Sequence, residues 1–355
     1  MTAVTEIEAA PRDRLSRARS LHWVLAGALG LACIASLQIG ATGVTLSAML
    51  AKLGQGEALS QMERVVLLDI RLPRLAMCVL VGAALAVSGA AMQGLFRNPL
   101  ADPGIVGVGA GAGLGAILAI VLGAVLPAWI IDLTGNQMVP FAAFLGGWGS
   151  TILLYRLSTR HGRTSVATML LAGIAIGALA GAVSGILVYI ADDRQLRDLT
   201  FWGLGSLAGA SWAKVLSAGP LILLSVAAAL RLGRALNGLA LGEATAVHIG
   251  IDVQRMKSLA ILAVAGATGA AVAVSGGIGF IGIVVPHLLR LASGPDHRTL
   301  LFNSALLGAV LLILADVIAR VVIAPAELPI GIVTAVLGAP VFLWILLRRR
   351  GLVEL

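Results

Sequence analysis

The sequence contains few charged residues. Asp, Glu, Lys and Arg make up 12% of its 355 residues, and hydrophobic residues make up 59%. About a quarter of an ordinary soluble domain is charged, and no soluble core can take in this much apolar surface. The apolar residues form long continuous runs, not alternating patterns. They therefore predict membrane-spanning α-helices and argue against a membrane β-barrel.

Several sequence features that carry chemistry are also missing. The two cysteines, Cys33 and Cys78, lie inside apolar runs, so we expect no disulfide framework and no metal or cofactor site. No G-x-x-x-x-G-K-[ST] loop occurs, and any ATP must therefore be bound by another chain. The five histidines are scattered and form no H-E-x-x-H motif, which argues against a membrane-embedded metalloenzyme. The net charge of +8 fits orientation in a lipid bilayer better than nucleic-acid binding.

Ten apolar runs are long enough to cross a membrane, since about 20 helical residues span the hydrocarbon core. We place these spans at residues 21–40, 73–95, 104–126, 139–155, 166–190, 212–230, 258–275, 276–291, 299–319 and 328–347. The first run follows several arginines and could be a signal peptide, but it exceeds the roughly 7–15 apolar residues of such segments. We therefore predict one transmembrane domain over residues 21–347, with short tails at 1–20 and 348–355.

The basic residues are distributed unevenly between the two sets of predicted loops. With the N-terminus in the cytoplasm, 17 of the 25 Lys and Arg residues fall on the inner side and 8 on the outer side. Cytoplasmic loops of membrane proteins carry an excess of Lys and Arg. Both termini are therefore predicted to be cytoplasmic.

Three arginines lie at the predicted outer ends of spans: Arg71, Arg74 and Arg320. Guanidinium groups bind carboxylates in a planar fork, so these residues are candidates for docking a soluble partner. The alternative is that they only reach from the span ends to the membrane interface. Asp316 lies one helical turn before Arg320, at ion-pair spacing. This pairing weakens the case for an ion-coupled secondary transporter, which needs an available carboxylate inside the membrane.

The fifth predicted span carries a glycine stripe, which consists of Gly173, Gly177, Gly181 and Gly185. Residues four apart share one face of a helix, so the stripe exposes backbone to a closely packed neighbour. That neighbour is either another helix of the same chain, or a partner at a dimer axis or along a transport pathway.

The predicted cytoplasmic loop at residues 231–257 is apolar in its middle, yet it is too short and too rich in glycine to span a membrane. We expect two short helices that break near Gly242 and Gly250. An apolar segment in an aqueous loop is expected to be covered, either by the chain itself or by a partner.

Seven segments match one family in order. They are RLPRLAMCVLVGAALAVSGAAMQGLFRNPLADPG from Arg71, FWGLGSL from Phe201, LNGLALGEATAVHIG from Leu236, GGIGFIGIVVPHLLR from Gly276, DHRTLL from Asp296, ADVIAR from Ala315 and ELPIGIVTAVLGAPVF from Glu327. Together they resemble the ABC importer permeases that carry ferric siderophores, haem and vitamin B12 across bacterial inner membranes. The resemblance implies an all-α, type II importer fold of ten helices and a subunit without catalytic activity of its own.

The resemblance also implies partners and site residues. Two copies of the chain would enclose a central pathway lined by the fifth and tenth spans, and they would bind two cytoplasmic ATPase subunits. Arg71, Arg74 and Arg320 would face acidic residues of a periplasmic substrate-binding protein. The coupling loop seated on the ATPase would include Leu241, Gly242, Glu243, Ala246 and Gly250.

The substrate is predicted from two further segments, DDRQLRDLTFW from Asp192 and AAMQGLFRNPLADP from Ala90. Both look most similar to haem permeases, so we predict haem import. A ferric siderophore and cobalamin are the alternatives within the family. Outside it, the competing hypotheses are a secondary transporter that works without an ATPase and a membrane-embedded enzyme.

Overall fold

The structure is a computed structural model that describes residues 11–40, 43–160 and 163–349. The α-helices, in chain order, are α1 Pro11–Gln38, α2 Leu46–Gly54, α3 Gln61–Arg64, α4 Leu72–Leu95, α5 Val108–Leu122, α6 Ala128–Thr134, α7 Met138–Ser158, α8 Val166–Ile190, α9 Asp193–Gly203, α10 Trp212–Arg231, α11 Gly233–Ala240, α12 Glu243–His248, α13 Val253–Ser275, α14 Ile281–Ser293, α15 His297–Val321 and α16 Ile330–Arg349. A single short antiparallel ladder joins β1 Thr159–Arg160 to β2 Arg163–Thr164. The predicted all-α class is confirmed.

Ten helices match the ten predicted spans. Seven of them are long and apolar enough to cross a membrane: α1, the continuous stretch from α3 to α4, and α7, α8, α10, α13 and α15. The other three, α5, α14 and α16, are shorter apolar helices. Residues 1–10 and 350–355 of the predicted tails lie outside the described residues, and α1 begins ten residues before the predicted first span.

The second span begins earlier than the predicted residue 73. Ser60 caps α3 in a capping box with Glu63, and the helix continues through a π-helical segment, Val65–Arg71, into α4. Pro73 therefore does not start the span. The wider π turn accommodates a proline that lacks an N–H donor and would crowd the preceding turn of a regular α-helix.

The eighth span is also shorter than predicted. Residues 276–280 are not helical, and Phe280 adopts a left-handed conformation with φ of 68° just before α14. Because α14 has 13 residues, it rises only about 20 Å. The third span likewise contracts from 104–126 to α5, since Pro103 starts a 3₁₀ turn and Gly107 has a φ of 76°.

The core is formed by α4, α13 and α15. In α13, 83% of the most apolar window is buried, against 17% in α8. Small residues allow close helix crossings: a Cβ on Gly82 of α4 would overlap the carbonyl of Gly308 in α15. The peripheral helices, above all α8, leave broad apolar faces exposed, as expected for surfaces that meet lipid or another protein.

The bundle has two distinct ends. The arginine end comprises the start of α4, the end of α15 and the C-terminus of α1. The opposite end, called the α11–α12 end, comprises the end of α4, the start of α15 and the two short helices α11 and α12. The predicted pair of short helices is confirmed, with its breaks at Leu241–Gly242 and Ile249–Gly250.

Candidate functional site

The three arginines predicted to share one face do lie together at the arginine end, and we call them the arginine cluster. Arg74 Nε lies 2.9 Å from Asp316 Oδ1, and Arg320 Nε lies 3.0 Å from Asp316 Oδ2. The side chain of Asp316 is fully buried. The predicted ion pair between Asp316 and Arg320 is confirmed, and Arg74 joins it as a second partner.

Two of the arginines bind the C-terminus of α1. Arg71 Nη1 donates to the carbonyl of Leu37, while Arg320 donates to the carbonyl of Ile39 at 3.2 Å and to Ser36 Oγ at 3.0 Å. The last carbonyls of a helix have no partners within the helix and carry partial negative charge. The guanidinium groups satisfy these carbonyls and fix the end of α1 against α4 and α15.

A further partner of the arginine cluster, Glu327, comes from the loop between α15 and α16. Glu327 lies 2.9 Å from Arg74 Nη1, and its side chain is 36% exposed, whereas the side chain of Arg74 is 8% exposed. Three guanidinium groups and two carboxylates leave one excess positive charge. The arginines therefore lie at one end of the bundle, as predicted, and partners within the chain hold each of them.

At the opposite end, three apolar side chains face outward. Leu241 is 67% exposed, Val247 59% and Ile249 58%, and we call them the α11–α12 patch. The inner sides of the same helices are buried, including Leu236 and Leu239. Of the three patch residues, only Leu241 was singled out by the sequence. Val247 and Ile249 could have been found from their places on either side of the exposed His248.

The other predicted coupling residues shape this segment from within. Ala246 is fully buried and packs into the chain. Glu243 lies 2.7 Å from Nζ of the buried Lys257, which ties α12 to α13. Gly242 and Gly250 have φ values of 104° and 85°, which favour glycine and allow the chain to turn at both ends of α12.

A polar contact links α11 to the start of α15. Asn237 Nδ2 donates to Asp296 Oδ1 at 2.7 Å, and Arg298 Nη2 lies 2.9 Å from Asp296 Oδ2. Partial burial raises the pKa of Asp296, but the hydrogen bonds from Arg298 and Asn237 outweigh it and lower the pKa to about 2. This charged contact, which sequence reasoning missed, connects the α11–α12 segment to a core helix.

The glycine stripe of α8 lies only partly against the chain. Gly173 is buried, and a Cβ on Gly177 would only touch Ala110 at 4.0 Å. A Cβ on Gly181 or Gly185 would meet no atom within 4 Å. The stripe is thus not, over its second half, a tight contact between helices of one chain.

The family of this chain is identified from its sequence. The pattern of the FecCD transport family matches residues 28–348. The chain belongs to the FecCD transport family. Over the ranges that the structure describes, no three His, Cys, Asp or Glu side chains of this FecCD-family chain converge on a point that could hold a metal ion.

Individual relatives of the FecCD-family chain are similar along most of its length. The hemin transport system permease protein HmuU of Yersinia pestis is 50% identical over 283 residues, which cover 80% of this chain and 83% of that protein. The vitamin B12 import system permease protein BtuC of Salmonella typhi is 41% identical over 336 residues, covering 94% and 98%.

A solved structure shares the fold. It is described as an inward-facing conformation of a metal-chelate type ABC transporter, and its TM-score is 0.81 at 32% identity. The match covers 93% of this chain and 99% of that one. The architecture is therefore that of a membrane permease subunit of an ABC transporter, as the sequence predicted.

Proposed function

We propose that this chain is the non-catalytic membrane subunit of an ABC importer that moves haem from the periplasm to the cytoplasm across a bacterial inner membrane. Residues 21–347 would form its single transmembrane domain, with the arginine end periplasmic and both termini cytoplasmic. The observation that carries the substrate is the 50% identity to a hemin permease over four-fifths of the chain.

The α11–α12 patch supports binding of an ATPase subunit. Leu241, Val247 and Ile249 are exposed apolar side chains within one short segment, in and next to α12, and such groups favour burial against a partner. Glu243 and Asp296 anchor this projection to α13 and α15. A movement of the ATPase would therefore reach the core helices through charged contacts and not through a loose loop.

The exposed face of α8 supports a homodimer around a central pathway. Gly181 and Gly185 leave open space next to the helix, and small residues in a stripe allow two transmembrane helices to approach closely or leave room for cargo. In this proposal α8 and α16, the fifth and tenth spans, line the pathway. ATP binding brings the two partner ATPase subunits together. Their motion reaches α8 and α16 and alternates access between the two faces of the membrane.

The excess positive charge of the arginine cluster supports docking of a periplasmic substrate-binding protein. Charged groups at an interface steer the encounter and fix its orientation. Since the arginines are held from within, docking would take place at the partly exposed edge of the cluster, where Arg74 meets Glu327.

Cobalamin is the second candidate substrate. Its specific support is the 41% identity to a vitamin B12 permease over 94% of the chain, a longer match than that to the hemin permease. The higher identity of the hemin permease thus favours haem, whereas the longer match of the vitamin B12 permease favours cobalamin.

ATP hydrolysis by the assembled transporter separates these substrates. The chain would be purified with its ATPase and mixed with periplasmic binding proteins loaded with haem, cobalamin or a ferric siderophore. We expect hydrolysis to rise most with the haem-loaded protein. A rise with the cobalamin-loaded protein alone would replace haem by cobalamin, and no association with any ATPase would overturn the importer proposal.

A further inference from the structure

The two carboxylates of the arginine cluster are held very differently. Asp316 lies inside α15, is fully buried and contacts both Arg74 and Arg320. Its departure would leave two buried guanidinium groups short of a partner, which strongly destabilises the fold. Asp316 is therefore a fixed part of the core.

Glu327, in contrast, is a replaceable partner of Arg74. It belongs to the exposed loop between α15 and α16, more than a third of its side chain is accessible, and its ion pair is to Arg74. The next residue is pinned by a hydrogen bond from Leu328 N to Ala319 O at 3.0 Å. This bond keeps the loop beside the cluster while the glutamate side chain can turn outward.

At this edge of the cluster, the carboxylate of Glu327 already occupies the guanidinium that a partner's carboxylate would bind. The Nη1 atom of Arg74 lies 3.0 Å from Glu327 Oε1 and 2.9 Å from Oε2, while its Nε is bound to Asp316. One charged nitrogen thus contacts both oxygens of a partly exposed carboxylate, and a carboxylate of another protein can make the same contact. Loss of Glu327 leaves the guanidinium of Arg74 paired with Asp316 at 2.9 Å, and a carboxylate that replaces Glu327 keeps the charge of Arg74 compensated. A second carboxylate, arriving on a complementary surface, can therefore take its place.

We propose that Glu327 is an internal competitor for the docking site. It occupies the guanidinium of Arg74 while the permease is undocked, and an Asp or Glu carboxylate of the periplasmic substrate-binding protein displaces it on docking. This inference rests on the proposed docking function. It explains how arginines that are buried and paired within the chain can still serve a partner.

The test compares charge-removing variants in full transporters with the ATPase bound, held in lipid nanodiscs. The probe is the haem-loaded periplasmic binding protein of the same organism, and its dissociation constant is measured at low and high salt. Glu327→Gln and Glu327→Ala remove the competitor. Glu63→Gln is the matched control, because it removes the same charge, but the partner of Glu63 is Lys52 at 2.6 Å. Arg74→Lys keeps the charge at the site and loses the guanidinium that contacts both Asp316 and Glu327.

The expected result is that both Glu327 variants bind the probe about three- to ten-fold more tightly, with a steeper salt dependence. Glu63→Gln stays within about two-fold of the unaltered transporter, and Arg74→Lys binds more weakly. Damage to the fold would not produce tighter binding, so a gain in affinity distinguishes displacement from a structural role of Glu327.

Other outcomes overturn the inference in recognisable ways. If Arg74→Lys weakens binding but neither Glu327 variant strengthens it, Glu327 is no competitor and the docking proposal stands. If Glu63→Gln strengthens binding as much as Glu327→Gln, the effect is one of overall charge. If Arg74→Lys and both Glu327 variants leave binding unchanged, docking does not use the guanidinium of Arg74 and the inference fails.

Discussion

At the scale of single residues, Asp316 does the most to hold the arginine end together. It is a fully buried carboxylate between two guanidinium groups, and these in turn hold Glu327 and the C-terminus of α1. A buried charge is tolerated only when its partners surround it. Removal of Asp316 would therefore leave the buried guanidinium groups of Arg74 and Arg320 without their shared carboxylate.

Replacing Asp316 with Asn should lower the free energy of unfolding by about 3–5 kcal/mol, because two buried guanidinium groups lose their shared carboxylate. Thermal unfolding of the purified protein in detergent would measure the loss. Lys52→Gln is the control, since it also breaks a close ion pair, but with an exposed lysine, and it should leave the melting temperature unchanged. Equal melting temperatures for Asp316→Asn and the unaltered protein would contradict this account.

The sequence predicted the three arginines of this cluster and one of its ion pairs, but not the others. The pair of Asp316 and Arg320 could be predicted because residues four apart share a helix face. Arg74 and Glu327 are 253 residues apart, and no local pattern connects them. Burial of the arginines could not be predicted either, since it depends on where α1 ends.

At the scale of elements, the α11–α12 segment combines an anchored inner side with an exposed apolar outer side. Leu241→Asp combined with Val247→Asp should weaken the ATPase complex at least about ten-fold, because a buried apolar contact would be replaced by uncompensated charge. Co-purification and titration of the ATPase subunit would measure this change. Leu133→Asp is a matched control on α6, where an exposed leucine lies far along the chain from the patch. Equal weakening by the control would refute a specific role.

The close crossing of α4 and α15 makes a second prediction at this scale. Gly82→Ala should destabilise the protein by about 1–3 kcal/mol, since the new methyl group would meet the backbone of Gly308. Gly30→Ala in α1, where a Cβ meets nothing within 4 Å, should be neutral or slightly stabilising. Thermal unfolding of both variants checks this, and an equal effect of the two would contradict the packing described.

The ten spans could be predicted from apolar runs and the pair α11 and α12 from its glycine breaks, but the other short helices were missed. The start of α3 was readable in the Ser60 and Glu63 capping box, and the start of α9 in the capping box of Asp192 and Gln195. Both signals lie outside the apolar runs that define the predicted spans. The nine-residue α2 carries too little periodicity to be distinguished from a loop.

At the scale of the whole molecule, the second half of the glycine stripe has no close neighbour within the described part of one chain. A single sequence could predict that this stripe packs closely, but not whether its neighbour is the same chain or a second copy. The open space beside Gly181 and Gly185 favours a second copy or the cargo, since no helix in the described part of the chain fills it.

Gly181→Phe should therefore disrupt the dimer or obstruct the pathway while it leaves the stability of the single chain unchanged. Leu179→Phe, an exposed position on the other side of α8, is the matched control and should preserve both dimer and transport. Native mass spectrometry gives the oligomeric state, and haem uptake gives transport. Normal dimers with normal uptake in Gly181→Phe would rule out this role of the stripe.

The most direct test of the central claim is haem uptake into proteoliposomes that contain this chain, its ATPase and a haem-loaded binding protein outside the vesicles. The account predicts uptake that needs all three proteins and stops when an ATPase variant unable to hydrolyse ATP replaces the normal one. Uptake by the chain alone, or none with haem where cobalamin or a ferric siderophore is imported, would contradict it.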